Sequence, residues 1–279
     1  MQRIHIVGSS PRSGTSLLTE MMINSFEIDI YPEHEARLGM CPPRNGRVFL
    51  SKSPKDIVIV EKRLKLMKNL HIIYVMRDPR DSAVSVHGNY KDEYYGDLRY
   101  WHNYMPYYEK VKDHPRLLHI KYEDLVTDPD HIQSEISSRM PFLIFKDKFS
   151  NFHTHSRPSY NTTQALKGLR KVDSAGIGNW KIHKARILGQ IKLHGSISKD
   201  LIRFEYEEND EWIKELEGVV PDLKESHFSL FRTEKFIRRK QHFKYLKSVK
   251  LWFCHTPAFL NTREIFRSLS GHPEQSPEG

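Results

Sequence analysis

The sequence lacks the features that mark membrane, secreted and metal-binding proteins. Its longest apolar runs, such as HIIYVM at 71–76, are too short to span a bilayer. The two cysteines, Cys41 and Cys254, do not have metal-ligand spacing, and we expect them to be free thiols and not a disulfide. No apolar stretch with a small-residue cleavage site follows the first residues, so no signal peptide is predicted. We therefore expect a cytoplasmic protein with one large core.

Acidic residues are outnumbered, with 35 acidic against 44 basic residues and a formal net charge of +9. This balance indicates an anionic ligand, an acidic polymer or a membrane surface as partner. The sequence has no zinc-finger, helix-turn-helix or aromatic-basic RNA-binding motif, which argues against nucleic acid. The charge alone does not decide between the remaining partners.

Apolar patterning alternates between strands and helices along the first two thirds of the chain. Strands are predicted at 4–8, 47–52, 70–77 and within 116–125, with helical spacing after the first three. Such alternation predicts an α/β fold, a three-layer α/β/α arrangement around a central parallel sheet. Ligands of such sheets bind at the carboxyl ends of the strands.

The domain organisation follows from a change of composition near residue 230. Residues 1–230 are predicted to form one domain, and 231–279 a basic C-terminal helical extension packed on it or flanking it. The extension is interpreted as a helix with a solvated basic face, or alternatively as a peripheral membrane or acidic-polymer contact. The sequence gives no prediction of the oligomeric state.

The first strand runs into a turn rich in Gly, Ser and Pro, IHIVGSSPRSGTSLLTEMM at 4–22. A Walker loop reads G-x-x-x-x-G-K-[ST], whereas glycine stands here at the lysine position. Exposed amides at the start of the helix, the hydroxyls of Thr15 and Ser16, and the charge of Arg12 all favour an anion. The alternative is a capped helix behind a tight turn.

A second candidate anion site follows the third strand, in YVMRDPRDSAVS. Arg77 stands at the predicted strand end, and Ser85 lies eight residues later inside the predicted helix. Arginine at this place can bind a phosphate with the serine beside it. The alternative is a salt bridge from Arg77 to Asp78 or Asp81.

Four segments in order, PRSGTS, RDPRDSAVS, IKYEDLVTDP and LRKVDSAGIGNWK, resemble sulfotransferases that use 3′-phosphoadenosine 5′-phosphosulfate (PAPS). The resemblance is nearest to the bacterial branch and to the Golgi glycan and tyrosylprotein branches, and it implies their P-loop-like fold. It implies PAPS as co-substrate and 3′,5′-bisphosphoadenosine (PAP) as product. The first loop would hold the phosphosulfate, Arg77 and Ser85 the 3′-phosphate, and later segments the rest of the nucleotide. The implied donor-binding residues are Arg12, Ser13, Gly14, Thr15, Ser16, Arg77, Ser85, Tyr122, Arg170 and Lys171.

The same resemblance implies catalytic residues. YPEHEARLG at 31–39 reproduces the E-x-R pattern of the tyrosine branch at Glu35, so Glu35 is the preferred base, Glu33 the second choice and His34 the third. Lys52, at a predicted strand end, would contact the bridging oxygen of the leaving group, and Arg12 would steady the transferring group. No metal is expected.

The implied reaction moves a sulfuryl group to a hydroxyl of an acceptor, which we expect to be a carbohydrate or glycolipid. Two other functions stay open at this point. One is a P-loop kinase of small molecules, against which the missing lysine argues. The other is a non-catalytic binder of acidic glycan or membrane on the same fold.

Overall fold

The structure is a computed structural model, and it describes residues 1–33, 35–39 and 46–227. His34 and the predicted extension at 231–279 lie outside these residues. The strands are β1 (Gln2–Gly8), β2 (Val48–Lys52), β3 (Leu70–Met76), β4 (Val86–His87), β5 (Tyr90–Tyr94) and β6 (Leu117–Lys121). The α-helices are α1 (Thr15–Ser25), α2 (Ile57–Leu66), α3 (Pro79–Ala83), α4 (Leu98–Glu109), α5 (Tyr122–Thr127), α6 (Pro129–Arg139), α7 (Phe152–His155), α8 (Tyr160–Leu166), α9 (Lys184–His194) and α10 (Ser198–Arg203). Short 3-10 helices occupy Pro54–Asp56, Phe149–Asn151, Asn179–His183 and Asp210–Leu216.

The central sheet is parallel and has the strand order β2-β1-β3-β6. Strand β1 pairs with β2 on one side and with β3 on the other, in parallel register. The predicted fold class is therefore confirmed. Because all four strands run the same way, the first loop, Lys52, Arg77 and Tyr122 follow strand ends at one edge of the sheet.

Side chains of the central strands alternate between two apolar clusters. In β3, Ile72 and Tyr74 belong to a cluster with α2, α4 and α9, whereas Ile73 and Val75 belong to one with α1 and α6. Helices thus cover both faces, which explains the near-continuous apolar run of β3. No helix in the described part of the chain has the length and apolarity needed to cross a membrane.

One element prediction is wrong: Ser85 does not lie inside the helix after β3. Helix α3 ends at Ala83, because the chain there turns into the antiparallel pair β4–β5. The backbone of Ser85 joins this hairpin by accepting a hydrogen bond from Tyr95 N at 3.0 Å. Ser85 therefore lies in the connection between helix and hairpin.

Candidate active site

The first loop is built around close contacts that only small residues allow. A Cβ atom on Gly8 would lie 2.1 Å from Ser13 Oγ, and one on Gly14 would lie 2.4 Å from Tyr122 Cδ2. Gly14 also has a φ of 97°, in the left-handed region that favours glycine. The loop therefore packs tightly on β1 and on the start of α5. Helix α1 begins at Thr15, so Ser13 lies in the turn with its side chain buried.

Arg12 connects this loop to two distant segments. Its backbone has a left-handed φ of 74°. Its Nε donates to Ser85 Oγ at 3.2 Å, and its Nη2 donates to the carbonyl of Ala165 at 2.9 Å. Burial, and next the charge of Arg77, lowers the pKa of Arg12 to about 10. The guanidinium thus lies beside the second predicted anion element as well as in the first loop.

Arg77 follows β3 as predicted, and its side chain contacts the same loop. Nη1 donates to the Arg12 carbonyl at 3.0 Å, and Nη2 donates to the Gly176 carbonyl at 2.8 Å. The guanidinium carbon lies 4.3 Å from the ring centroid of Tyr122. This contact is a cation–π interaction.

The two carboxylates offered as alternative partners of Arg77 have other partners. Asp78 forms a buried ion pair with Arg80 at 2.7 Å. Asp81 accepts hydrogen bonds from Gly178 N at 2.8 Å and from Trp180 N at 2.9 Å. Asp81 thereby fixes the 169–181 segment beside α3, which places Gly176 next to Arg77.

One cavity of about 370 Å³ collects most of the residues implied in donor binding. Arg12 and Arg77 both line it, as do Gly14, Tyr122 and Ser85. The implied donor-binding residues that line it are Arg12, Gly14, Thr15, Ser16, Arg77, Ser85, Tyr122, Arg170 and Lys171. The exception is Ser13, whose side chain is turned toward Gly8. We call this space the donor cavity, after the ligand that the resemblance implies for it.

The basic residues of the 169–181 segment differ in their surroundings. Arg170 is more than half exposed and pairs with Asp173 at 3.2 Å, while Lys171 is exposed. Lys167, which sequence reasoning missed, is exposed and lies in the same wall of the cavity. Burial lowers the pKa of Lys167, and the charges of Arg12 and Arg77 lower it further. Lys167 directly follows α8, a helix that the apolar pattern of the sequence did not predict.

A second cavity of about 240 Å³ adjoins the donor cavity. Its lining consists of Ser16, Glu33, Glu35, Lys52, His87, Asn161, Thr162 and Ala165. Ser16, Glu35, His87 and Ala165 line both cavities. Both candidate bases are thus placed together with Lys52, and Glu35 alone of these three also faces the donor cavity. We call this second space the acceptor cavity, because an acceptor is expected beside the candidate bases.

The loop that carries Glu35 is anchored three residues later. Leu38 is fully buried, and its backbone N donates to Asp56 Oδ2 at 2.6 Å. Asp56 directly follows the segment of Lys52, and its Oδ2 also lies 3.7 Å from Nε2 of the buried His5. One buried carboxylate, four residues after Lys52 in the chain, therefore connects the loop of the candidate base to β1.

Lys52 lies at the end of β2, where it is half-buried instead of at the surface. Its Nζ donates a hydrogen bond to Ser16 Oγ. Burial lowers the pKa of Lys52, whereas the charges of Glu35 and Glu20 raise it. An ammonium group held beside the first loop can donate to an oxygen that gains negative charge.

The chemistry of the donor cavity fits a ligand with separated anionic groups. Arg12, Arg77 and Lys167 approach one space, and Nε of Arg77 is buried without a hydrogen-bond partner among the described residues. The loop residues Gly14, Thr15 and Ser16 lie along the same space. A nucleotide with phosphate groups at both ends suits this distribution of donors.

Sequence reasoning also missed His87 and Tyr95, which both line the donor cavity. Their rings stack with centroids 5.1 Å apart, and the Arg12 guanidinium lies 5.9 Å from the Tyr95 ring. The Gly-Asn pair at 88–89 is the signal that could have predicted the hairpin that carries them. The described residues contain no group of three His, Cys, Asp or Glu side chains able to hold a metal ion.

Comparison with known proteins gives one family match. Residues 40–139 match the model described as "Sulfotransferase family". The matched segment contains Lys52, Arg77, Ser85 and Tyr122, and it begins after the first loop. A search of curated proteins finds no match to the sequence.

Solved structures with a similar fold include three sulfotransferases. The sulfotransferase domain from the curacin biosynthetic pathway is 15% identical, with a TM-score of 0.45, covering 65% of this chain and 91% of that one. The corresponding domain of the Synechococcus PCC 7002 olefin synthase is 15% identical, with a TM-score of 0.42, and the match covers 64% of this chain and 87% of that one. Mouse sulfotransferase SULT7A1 complexed with PAP is 17% identical, with a TM-score of 0.45, and the match covers 64% of this chain and 77% of that one.

The family match and the four ordered motifs agree on the class of enzyme. The match over residues 40–139 supports the predicted family of PAPS-dependent sulfotransferases.

Proposed function

We propose that this sulfotransferase transfers the sulfuryl group of PAPS to a hydroxyl of a carbohydrate or glycolipid bound in the acceptor cavity. The observation that carries the proposal is the junction of the two cavities at Ser16 and Glu35. A carboxylate at this junction faces both the donor cavity and the space for an acceptor. PAPS supplies the activated sulfuryl group, and side chains of this protein bind the donor, remove the acceptor proton and stabilise the leaving group.

In this proposal Glu35 takes the proton of the acceptor hydroxyl, which makes the oxygen a better nucleophile. Lys52, held by Ser16, donates a hydrogen bond to the departing phosphate oxygen. Arg12 and Arg77 bind the charged ends of the donor and hold it in place. Glu33 lines only the acceptor cavity, so it is the weaker candidate for the base.

The acceptor class is argued from the lining of the acceptor cavity. Apart from Ala165, every lining side chain is polar or charged, including Asn161 and Thr162. No Phe, Tyr or Trp lines it within the described part of the chain. Polar side chains can form hydrogen bonds with a hydroxyl-rich molecule, whereas the aromatic side chains that would pack on a flat phenol or steroid do not line this cavity among the described residues. This supports a carbohydrate over an apolar acceptor.

Incubation of the protein with PAPS labelled in its sulfuryl group and a panel of glycans, glycolipids and phenols tests the proposal. We expect labelled glycan or glycolipid, PAP binding by calorimetry, and undiminished activity in EDTA. Absence of both labelling and PAP binding would reject the function. Binding of Mg²⁺-ATP in place of PAP would favour the kinase alternative.

The assignment of the base is tested by Glu35→Gln, with Glu33→Gln as the matched control. We expect Glu35→Gln to lower kcat by about 100-fold or more, the usual contribution of a general base, with PAP affinity unchanged. Glu33→Gln should change kcat little, because Glu33 does not face the donor cavity. The reverse ranking would make Glu33 the base. Unchanged activity in both variants would favour a non-catalytic binder.

A further inference from the structure

Glu20 is a buried carboxylic acid that the proposed reaction does not use. It lies on α1 one turn after Ser16, so the two side chains share a face of the helix. Ser16 Oγ accepts the hydrogen bond of Lys52 Nζ, and Glu20 acts electrostatically on the same ammonium group. Glu20 lines neither cavity, so it approaches Lys52 from within the protein.

The position of the carboxylate is fixed by a second buried residue. Ser156 Oγ donates to Glu20 Oε2 at 2.7 Å, and Ser156 is fully buried. Burial raises the pKa of Glu20, while the hydrogen bond of Ser156 and the charge of Lys52 lower it. The carboxylate therefore has one neutral donor and one cation that favour its charged form.

Three charged groups face Lys52 from different elements. Glu35 acts from the 31–39 loop and Glu20 from α1, and both favour the ammonium form, whereas Arg12 and burial oppose it. In the proposed reaction Glu35 loses its negative charge when it takes the proton of the acceptor. Glu20 does not contact the acceptor, so it keeps its negative charge. Of the three groups, Glu20 is then the one that still favours the ammonium form of Lys52.

We propose, resting on the proposed function, that Glu20 is a positioning residue that keeps Lys52 protonated throughout turnover. Lys52 thereby stays an ammonium donor toward the departing oxygen after Glu35 has been neutralised. The hydrogen bond of Ser156 holds the Glu20 carboxylate in the place where it does this.

The test measures the protonation of Lys52 directly, in the full-length protein. Lys52 is acetylated with acetic anhydride over a range of pH, and its modification is quantified by mass spectrometry. In Glu20→Gln we expect the labelling curve of Lys52, and the basic limb of the kcat profile, to move to lower pH. Ser156→Ala should move both in the same direction without changing α1. Glu61→Gln, at a partly exposed glutamate on α2 that pairs with Lys65, controls for net charge and should move neither.

A Lys52 labelling curve unchanged in Glu20→Gln overturns the proposal, as does an equal shift in Glu61→Gln. A uniform loss of kcat at all pH values with an unmoved labelling curve would reduce Glu20 to a structural residue. If Glu20→Gln does not fold, an unmoved curve in Ser156→Ala overturns the proposal in its place. Labelling does not need turnover, so an inactive wild-type protein would reject the proposed function while this test still gives an answer.

Discussion

At the scale of single residues, the two arginines of the donor cavity are held by neutral oxygen atoms. Arg12 donates to a serine hydroxyl and to the carbonyl of Ala165, and Arg77 donates to the carbonyls of Arg12 and Gly176. Carbonyls orient a guanidinium without neutralising its charge. Two like charges thus lie close together in a largely buried place, and an anionic ligand relieves their repulsion.

Replacement of Arg77 by alanine should weaken PAP binding by about 2–5 kcal/mol, the range for removing one partner of a desolvated charge pair. Calorimetry with PAP measures the loss. The matched control is Arg170→Ala, because Arg170 lines the same cavity but is more than half exposed. We expect its effect to stay below about 1 kcal/mol, as for exposed pairs. Equal losses in the two variants would contradict the role given to Arg77.

At the scale of elements, the site depends on the packing of the first loop against the start of α5. Gly14 combines a left-handed backbone with a close approach to Tyr122. Tyr122 in turn stacks on Arg77. The loop, α5 and the end of β3 are therefore connected through one aromatic ring.

Gly14→Ala should destabilise the fold by more than about 1 kcal/mol and should abolish PAP binding, because the methyl group displaces the Tyr122 ring. Gly168→Ala is the matched control, since Gly168 has a φ of 98° with open space around its Cβ position. Both variants carry backbone strain, but only the first clashes. Thermal melts and PAP titrations of the two variants check this. Retained PAP binding in Gly14→Ala would show that the ring contact is dispensable.

The elements that local patterning predicted are those with strong apolar runs. Strand β3 and the strand–turn–helix around Gly14 follow directly from the sequence, because burial on both faces dictates their residues. The hairpin β4–β5 and α8 did not, because their residues are selected by contact with each other. A Cβ on Gly88 would lie 2.5 Å from Gln164 Oε1, a contact across 76 positions of the chain. The acceptor cavity is formed by such contacts, so sequence reasoning found Glu35 and Lys52 but not His87 and Asn161.

At the scale of the whole molecule, stability depends on pH through buried titratable groups of opposite effect. Burial raises the pKa of Glu123 to about 7, and burial lowers the pKa of His119 to about 4. A carboxylic acid with a raised pKa stabilises the fold at low pH and loses this contribution as the pH rises through about 7. A histidine with a lowered pKa has the opposite effect: its contribution to the stability of the fold grows as the pH rises from about 4 to about 6.5.

Glu123→Gln should therefore remove the pH dependence of stability that Glu123 causes and leave that of His119. The amide oxygen can still accept the hydrogen bond of Asp78 N, and the amide NH2 group can donate to Tyr206 Oη, which donates to the carboxylate in the wild type. Relative to the wild type, the variant should gain stability as the pH rises from about 4.5 to 7, by an amount of the order of 1–3 kcal/mol. Urea unfolding at pH 5 and pH 7.5 measures the difference, in which the contribution of His119 cancels. A difference that does not change with pH would contradict the raised pKa.

The attachment of Arg12 also has a consequence for how the protein reaches its native state. Its guanidinium is fastened to partners 73 and 153 positions further along the chain. Closing loops of that length is slow compared with forming a local turn. The hydrogen bonds of Arg12 therefore form only after these distant parts of the chain have packed against the first loop. We therefore expect nucleotide binding by a newly synthesised chain to follow the docking of the segment around residue 165.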